Sequence, residues 1–209
     1  VDYKILQHFS FAIFCAGITS IQECEIDPEG TKSINVASTL RIFEALNSVE
    51  VRTVFLSSNQ VFNSKLPFPK VYDPVEPRNQ YAKQKVEVEE AVLEKLQNIN
   101  VLRLTKFFDV DSRLISNWTE QLKHSQSIEA FKDVCVSFVY ISEIIDGLEK
   151  SLLLPDNRLL QLGGVVEETY YDFCVRYFGK RGLPPNKIIE KFKNFNEMEY
   201  NSLRTNIPF

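Results

Sequence analysis

Short apolar segments alternate with longer amphipathic stretches in the first half of the chain, and this alternation restricts the fold more than any other sequence feature. Residues 11–15, 54–56 and 101–104 have the length and composition of buried strands. Between them, residues 27–47 and 79–96 carry apolar side chains at helical spacing. Strands separated by helices of this length pair in parallel. We therefore predict an α/β fold in which a parallel sheet is flanked by helices.

The remaining secondary structure follows from turn-forming residues and periodicity. Asp27-Pro28 is typical of an N-cap followed by proline at the first helical position. Residues 61–77 contain four prolines and no helical period, which predicts a loop. Beyond residue 106 the sequence predicts helices over residues 112–124, 141–154 and 169–182, strands near residues 127–131, 134–139 and 158–162, and a mostly extended tail.

A serine pair and a tyrosine–lysine pair form the candidate catalytic group. Ser57 and Ser58 close the second apolar strand, and Tyr81 and Lys85 stand four residues apart in the next helix. Residues at this spacing share one helix face, so the Lys85 ammonium is expected beside the Tyr81 phenol. A neighbouring cation favours the phenolate, and we therefore expect the pKa of Tyr81 to be lowered from about 10. Ser58 is expected to hydrogen-bond the same substrate oxygen, which completes an acid–base site.

Charge and composition argue against several classes of protein. The net charge of -4 argues against a general binder of nucleic acid or of anionic membranes. No run of about 18 apolar residues is available to span a bilayer. The four cysteines are widely spaced and the two histidines lack metal-ligand spacing, so we expect reduced thiols and no metal site. These features predict a cytoplasmic globular protein.

The order of the motifs resembles the extended short-chain dehydrogenase/reductase superfamily, and within it the branch of dTDP-4-dehydrorhamnose reductases and related sugar-nucleotide-binding proteins. Ser57-Ser58-Asn59-Gln60-Val61-Phe62 stands where that branch has Ser-Thr-Asp-Tyr-Val-Phe, and an acidic, proline-containing loop leads to Tyr81 and Lys85 as in the family. Ala16-Gly17 matches the strand-end motif that approaches the cofactor. Trp118 falls in a portion similar to the family's substrate lobe. The resemblance covers nearly the whole chain.

This resemblance implies a partial Rossmann-like domain and a small C-terminal lobe. The domain would comprise residues 1–105 with residues 139–162 returning to it, and the substrate-binding lobe residues 106–138 and 163–209. It also implies hydride transfer from NADPH or NADH to the carbonyl of a nucleotide-linked keto-sugar.

The resemblance assigns a role to each candidate residue. In that scheme Tyr81 donates the proton, Lys85 lowers the tyrosine pKa and holds the nicotinamide ribose, and Ser58 fixes the carbonyl oxygen. Cofactor contacts are expected from Ala16, Gly17, Ser57, Tyr81 and Lys85, and substrate contacts from Asn59, Gln60 and Trp118. Asn59 and Gln60 replace the family's Asp-Tyr pair, so substrate identity is not carried over from the reductase.

The start of the chain departs from the family pattern. A Rossmann domain opens with a strand and a glycine-rich turn whose helix receives the cofactor pyrophosphate, and this sequence contains no such turn. Ile5, Leu6 and Phe9 correspond to the last turns of the helix before the family's fourth strand. We therefore expect the natural polypeptide to be longer. If this sequence were the complete protein, we would expect very poor affinity for NADP or NAD.

The same departure predicts an exposed apolar sheet edge. Without the family's first three strands, residues 11–15 would lie at the border of the sheet, which is a template for aggregation. The alternatives for covering this edge are a missing N-terminal segment, a second chain as in a homodimer, another partner, or a rearranged fold.

Alternative functions remain open at this point. One is a sugar-nucleotide epimerase or dehydratase, in which the dinucleotide stays bound and is recycled. Another is a non-catalytic regulatory or binding protein on the same fold, similar in kind to the regulatory beta subunit of methionine adenosyltransferase. In a third, Tyr81 and Lys85 lie on a solvated helix face and carry no chemistry.

Overall fold

The computed structural model describes residues 3–109, 112–155, 157–194 and 197–207. In chain order its strands are β1 (Phe11–Phe14), β2 (Arg52–Ser58), β3 (Ile99–Leu104), β4 (Phe107–Phe108), β5 (Ile128–Phe131), β6 (Val134–Val136), β7 (Val139–Tyr140), β8 (Leu159–Leu162), β9 (Glu168–Thr169), β10 (Ile188–Lys191) and β11 (Glu199–Asn201). Its α-helices are α1 (Ile21–Ile26), α2 (Pro28–Lys32), α3 (Thr39–Ser48), α4 (Gln80–Lys95), α5 (Arg113–Ser125), α6 (Ile141–Leu153) and α7 (Tyr170–Gly179).

A four-stranded parallel sheet forms the centre of the protein. Its strand order is β1-β2-β3-β8, and every neighbouring pair is parallel. Helices cover both faces, so the predicted α/β fold with a parallel sheet flanked by helices is confirmed. The sequence predicts the first three strands because their inner positions are almost continuously apolar.

Consecutive residues of the central strands pack on opposite faces of the sheet, as the strand period requires. Phe55 of β2 packs with Phe43 and Val88 on the face covered by α3 and α4. Val54, its neighbour in the strand, packs with Ile144 of α6 on the other face. The two cores explain why residues 54–56 of β2 are consecutive apolar residues.

The helix predicted over residues 27–47 is confirmed, with an irregular stretch in its middle. The Asp27 carboxylate accepts a hydrogen bond from the Gly30 amide at 2.9 Å, and Pro28 is the first residue of α2. Between α2 and α3 the chain forms a π-helical stretch, Ser33–Ser38. Asn35 lies in this stretch, where its side chain bonds the segment that follows β1.

We use the name C-terminal lobe for seven elements that lie outside the central sheet and its helices: α5, β5, β6, β9, α7, β10 and β11. Strand β5 pairs in parallel with β10, and β6 lies between β11 and β9. Trp118 of α5 and Phe173 of α7 share an apolar cluster with Ile128 of β5. The proposed division of the chain into a Rossmann-like domain and a substrate lobe stays a prediction.

Two predictions for the start of the chain need correction. The apolar composition of residues 11–15 predicts a buried strand, but Phe11 and Ile13 of β1 are 47% and 46% exposed. The exposed sheet edge predicted from the absence of the family's first three strands is confirmed instead. The reason is position: β1 is the edge strand, and no strand pairs with its outer side within the described ranges. Ile5 and Leu6 lie in a 3₁₀-helix, Tyr3–His8, where the end of an α-helix was expected, and Phe9 follows it.

None of the described helices is long and apolar enough to cross a membrane.

The predicted extended tail contains the short strands β10 and β11. A 3₁₀ turn, Pro185–Lys187, precedes them.

Candidate functional site

A cleft of about 1050 Å³ opens at the carboxyl ends of β2 and β3, on the side where the C-terminal lobe lies. The carboxyl edge of a parallel sheet is where ligands bind in open α/β folds. The sheet side of the cleft is lined by Ser57, Ser58, Tyr81 and Lys85, and the lobe side by Trp118 and Asn201 among others. The structure therefore brings the predicted catalytic residues to one cavity.

Helix α4 presents Tyr81 and Lys85 to this cleft. The Asn79 side chain caps the helix by accepting a hydrogen bond from the Ala82 amide at 2.8 Å. Capping fixes the first turn, and Tyr81 and Lys85 follow one turn apart on the same face. Val88 and Val92 bury the helix against the sheet. The predicted i, i+4 arrangement is confirmed.

Tyr81 is half-buried, and its environment favours the protonated phenol. Burial raises the pKa of Tyr81, whereas a hydrogen bond with the Ser58 side chain acts in the opposite direction. The prediction that a neighbouring cation lowers this pKa is wrong for the structure. The Lys85 Nζ atom lies 5.7 Å from the centre of the Tyr81 ring, but its hydrogen bond goes elsewhere.

Lys85 is tethered to the strand that carries the serine pair. Its Nζ donates to the carbonyl oxygen of Leu56 at 2.8 Å and lies 4.5 Å from the centre of the Phe55 ring. Burial lowers the pKa of Lys85 to about 8, and electrostatic interactions, of which that with Glu89 is the largest, counteract part of the shift. The ammonium thus lies near the phenol with a lowered pKa.

Ser57 has an unsatisfied hydroxyl in the cleft wall. The residue is 6% exposed, and its buried Oγ has no hydrogen-bond partner. A buried polar atom without a partner costs free energy unless a ligand satisfies it. This orphan hydroxyl is therefore a candidate ligand contact, which agrees with the cofactor role expected from the resemblance.

Ala16 and Gly17 lie beside the cleft but do not line it. Their neighbour Cys15 contributes to the wall. Gly17 has a φ of +146°, and Asn35 Oδ1 accepts a hydrogen bond from the next amide, Ile18, at 2.7 Å. A β-carbon on Gly17 would lie 3.1 Å from that oxygen. The turn is tight, and its expected contact with a cofactor stays a prediction.

The three residues expected to contact substrate have different surroundings. Asn59 and Gln60 both donate side-chain hydrogen bonds to Asn201 Oδ1, at 3.3 and 2.8 Å. Trp118 is 4% exposed and belongs chiefly to the core of the lobe, with one edge on the cleft. The sequence analysis did not predict Asn201, because nothing in the tail indicates that this residue of β11 contacts the turn after Ser58.

A nicotinamide cofactor fits this cleft only in part. The orphan Ser57 hydroxyl, the Tyr81 phenol and the Lys85 ammonium offer donors for the nicotinamide end. No glycine-rich strand-to-helix turn occurs in the described chain to receive a pyrophosphate. Gly163 and Gly164 serve packing instead, because a β-carbon would lie 2.4 Å from Leu203 O and 2.1 Å from Phe138 O, respectively.

Within the same described ranges, no group of three or more His, Cys, Asp or Glu side chains is arranged to hold a metal ion. All four cysteines are free thiols.

Comparison with known proteins identifies the family of the chain. A family model described as the RmlD substrate binding domain matches residues 4–150. No match is found among curated protein sequences.

Solved structures share the fold over almost the whole chain. dTDP-4-dehydrorhamnose reductase of Bacillus anthracis, in complex with NADP, superimposes with a TM-score of 0.87 at 16% identity, covering 98% of this chain and 74% of that one. A hypothetical dTDP-4-dehydrorhamnose reductase of Sulfolobus tokodaii gives 0.82 at 21% identity with the same coverage. The dTDP-glucose 4,6-dehydratase DesIV of Streptomyces venezuelae gives 0.80 at 16%, covering 98% and 68%.

Proposed function

The chain belongs to the RmlD substrate binding domain family, and from this premise we propose that it acts in the NAD(P)-dependent reduction of a keto-sugar linked to a nucleotide. The observation that carries the proposal is the convergence of Ser58, Tyr81 and Lys85 on one cleft at the carboxyl edge of the sheet. Similar structures include reductases of this type, one of them in complex with NADP.

Tyr81 is the proton donor in this proposal. Reduction of a carbonyl leaves an alkoxide that must receive a proton, so the donor must be protonated at working pH. Burial raises the pKa of Tyr81 and keeps the phenol protonated. Ser58 shares a hydrogen bond with the phenol, and this supports a role for both hydroxyls in binding one oxygen of the substrate.

Lys85 supports the charge that remains after proton donation. Once the phenol has given up its proton, the phenolate gains from a cation nearby. The Leu56 carbonyl holds the ammonium 5.7 Å from the Tyr81 ring centre. A nicotinamide cofactor, when bound, supplies the hydride. Ser57, Tyr81 and Lys85 would hold its nicotinamide end.

The direct test is Tyr81→Phe, assayed by NADPH consumption with a dTDP-linked 4-keto-sugar. We expect activity to fall by about 10²- to 10⁴-fold, the typical contribution of general acid catalysis. Tyr72→Phe is the matched control, because Tyr72 is 82% exposed in the loop before α4. Undiminished activity in Tyr81→Phe would remove the phenol from the proposed role.

A second candidate is a sugar-nucleotide dehydratase or epimerase. Its support is the similarity to DesIV and to a UDP-glucose 4-epimerase of Thermotoga maritima, which superimposes with a TM-score of 0.80 at 15% identity. Product formation without net NADPH consumption, with dinucleotide retained through purification, would favour this candidate. Stable capture of a partner enzyme with no turnover of any nucleotide sugar would favour the regulatory alternative.

A further inference from the structure

A continuous chain of side-chain hydrogen bonds joins the lobe to the helix that carries Tyr81. Asn79 Nδ2 donates to Gln60 Oε1 at 3.4 Å, and Gln60 Nε2 donates to Asn201 Oδ1 at 2.8 Å. Asn201 Nδ2 in turn donates to Glu199 Oε1 at 3.2 Å. We call these four side chains, Asn79, Gln60, Asn201 and Glu199, the amide relay. The bond between Gln60 and Asn201 joins residues that are 141 positions apart in the sequence.

The groups at the two ends of the amide relay fix the same direction of hydrogen-bond donation along it. At one end Asn79 Oδ1 must accept, because its partner is the Ala82 amide, which can only donate. At the other end Asn201 must donate, because the ionised Glu199 carboxylate can only accept. The Glu199 carboxylate is itself held by Lys193 Nζ at 2.5 Å. Every amide in between therefore points its NH₂ group toward the lobe, and such aligned bonds strengthen one another.

Asn201 of β11 also fixes the segment that carries Ser58. Asn59, which follows Ser58 directly, donates to the same Asn201 oxygen at 3.3 Å. Asn59 and Asn201 are buried at 8% and 9% exposure, so water competes little for these bonds. One lobe residue therefore holds both the turn after Ser58 and, through Gln60, the first turn of α4.

We propose that the amide relay positions Tyr81 and Ser58 from the lobe, with Gln60 and Asn201 as its positioning residues. Tyr81 lies two residues after the helix cap Asn79, so a shift of the first turn moves the phenol directly. This inference rests on the proposed function for its catalytic consequence. Its structural part, the link from β11 to α4, does not depend on the reaction.

The test reverses the bonds that Asn201 makes within the relay. Gln60→Glu places an acceptor where a donor is needed, so Asn201 turns its amide and sets its oxygen against the Glu199 carboxylate, while the bond from Asn79 keeps its direction. Adding Glu199→Gln supplies a donor there. A turn of the Asn59 amide then lets its oxygen accept from Asn201 Nδ2, and the pairing is restored in the opposite direction. We expect kcat for the keto-sugar to fall about tenfold in Gln60→Glu and to recover to within about twofold of wild type in the double variant. KM for NADPH should be unchanged. A double variant no better than the single one would overturn the proposal.

A second measurement does not use activity. In Asn201→Ala, hydrogen exchange at the Ala82 amide should accelerate about fivefold, because the cap that accepts from it loses its support. Asn206→Ala is the control, because the Asn206 side chain bonds Gln161 and Leu159, away from α4. An unchanged Ala82 exchange rate would overturn the relay.

The two measurements separate the relay from the reaction. A wild-type protein without turnover whose Ala82 exchange responds to Asn201→Ala would overturn the proposed function and support the relay. Normal turnover of the wild type, with no recovery of kcat in the double variant and no change in Ala82 exchange in Asn201→Ala, would support the proposed function and overturn the relay. Should Gln60→Glu not fold, Gln60→Met cuts the same link without adding a charge, and wild-type kcat in that variant would overturn the proposal.

Discussion

Arg103 of β3 forms a bidentate ion pair with Glu89 of α4, one turn beyond Lys85. Its Nε lies 3.1 Å from both carboxylate oxygens and its Nη2 lies 2.6 Å from one of them. Both side chains are 3% exposed. Arg103 Nη1 also donates to the Val71 carbonyl at 3.0 Å. The pair therefore joins α4 to β3 of the sheet, and Arg103 also joins β3 to the loop that precedes α4.

Removing one member of this pair should destabilise the protein strongly. Arg103→Met removes the cation that bonds the buried Glu89 carboxylate and leaves only the longer-range charge of Lys85. Breaking a buried pair in this way costs about 3–5 kcal/mol of unfolding free energy. Chemical denaturation measures the change. Lys32→Met is the control, because the Lys32–Glu87 pair involves the same helix but is about half exposed. We expect that control to lose no more than about 1 kcal/mol. Equal losses in the two variants would contradict the prediction.

Lys85 should give the protein a pH dependence of stability in the alkaline range. Its pKa is lowered from 10.5 to about 8 by burial. Below about pH 8 it is charged in both folded and unfolded chains, and the cost of burying the charge is present in full. Between the two pKa values the unfolded chain keeps the proton and the folded protein releases it, so stability rises with pH.

The measurement for Lys85 is the difference in unfolding free energy between wild type and Lys85→Met. We expect wild type to gain on the variant as pH rises from 8 to 10.5, by at most about 3 kcal/mol. Taking the difference cancels the other lysines and tyrosines that titrate in this range. Lys83→Met, at an exposed position of the same helix, is the matched control. A difference for Lys85→Met that does not change with pH would show that the ammonium is not desolvated.

The sequence predicts much of the sheet and the placement of its catalytic candidates. Strands β2 and β3 are evident because each contains a short apolar run, residues 54–56 in β2 and 101–102 in β3. Ser57, Ser58, Tyr81 and Lys85 meet in one cleft for two local reasons. The serines end a parallel strand, and the other two share one face of a capped helix. Both rules depend on residues close together in sequence.

The features that were not predicted from the sequence depend on contacts between distant parts of the chain. The direction of the Tyr81 pKa shift was wrong because spacing does not tell how deeply the phenol is buried or that Lys85 bonds the Leu56 carbonyl. Asn201 was missed because its partners lie more than a hundred positions away. The composition of β1 by itself indicates a buried strand, and its exposure was predicted only from the missing neighbouring strands, because burial of a strand depends on what lies beyond it. Tertiary context decides all three.

Gly17 should not tolerate a side chain, for two separable reasons. Its φ of +146° disfavours any L-residue, and an added β-carbon would lie 3.1 Å from Asn35 Oδ1. Gly182 has a φ of +85° but open space around it, and Gly179 has open space and no positive φ. We expect alanine to be tolerated at Gly179, to cost about 1 kcal/mol at Gly182 and more at Gly17. Thermal unfolding of the three variants measures the series, and an equal cost at Gly17 and Gly182 would show that Asn35 moves away freely.

The exposed edge strand β1 should control the tendency of the chain to self-associate. Phe11 and Ile13 are nearly half exposed, and the outer backbone groups of β1 have no partner strand within the described residues. An apolar, unpaired edge is a template for pairing with another chain, and a lysine on it opposes such pairing. We therefore expect Ile13→Lys to reduce concentration-dependent association in light scattering. Ile145→Lys is the matched control, because Ile145 is 51% exposed on helix α6 and does not lie on a strand edge. Equal effects of the two substitutions would mean that added charge, and not the edge of β1, governs association.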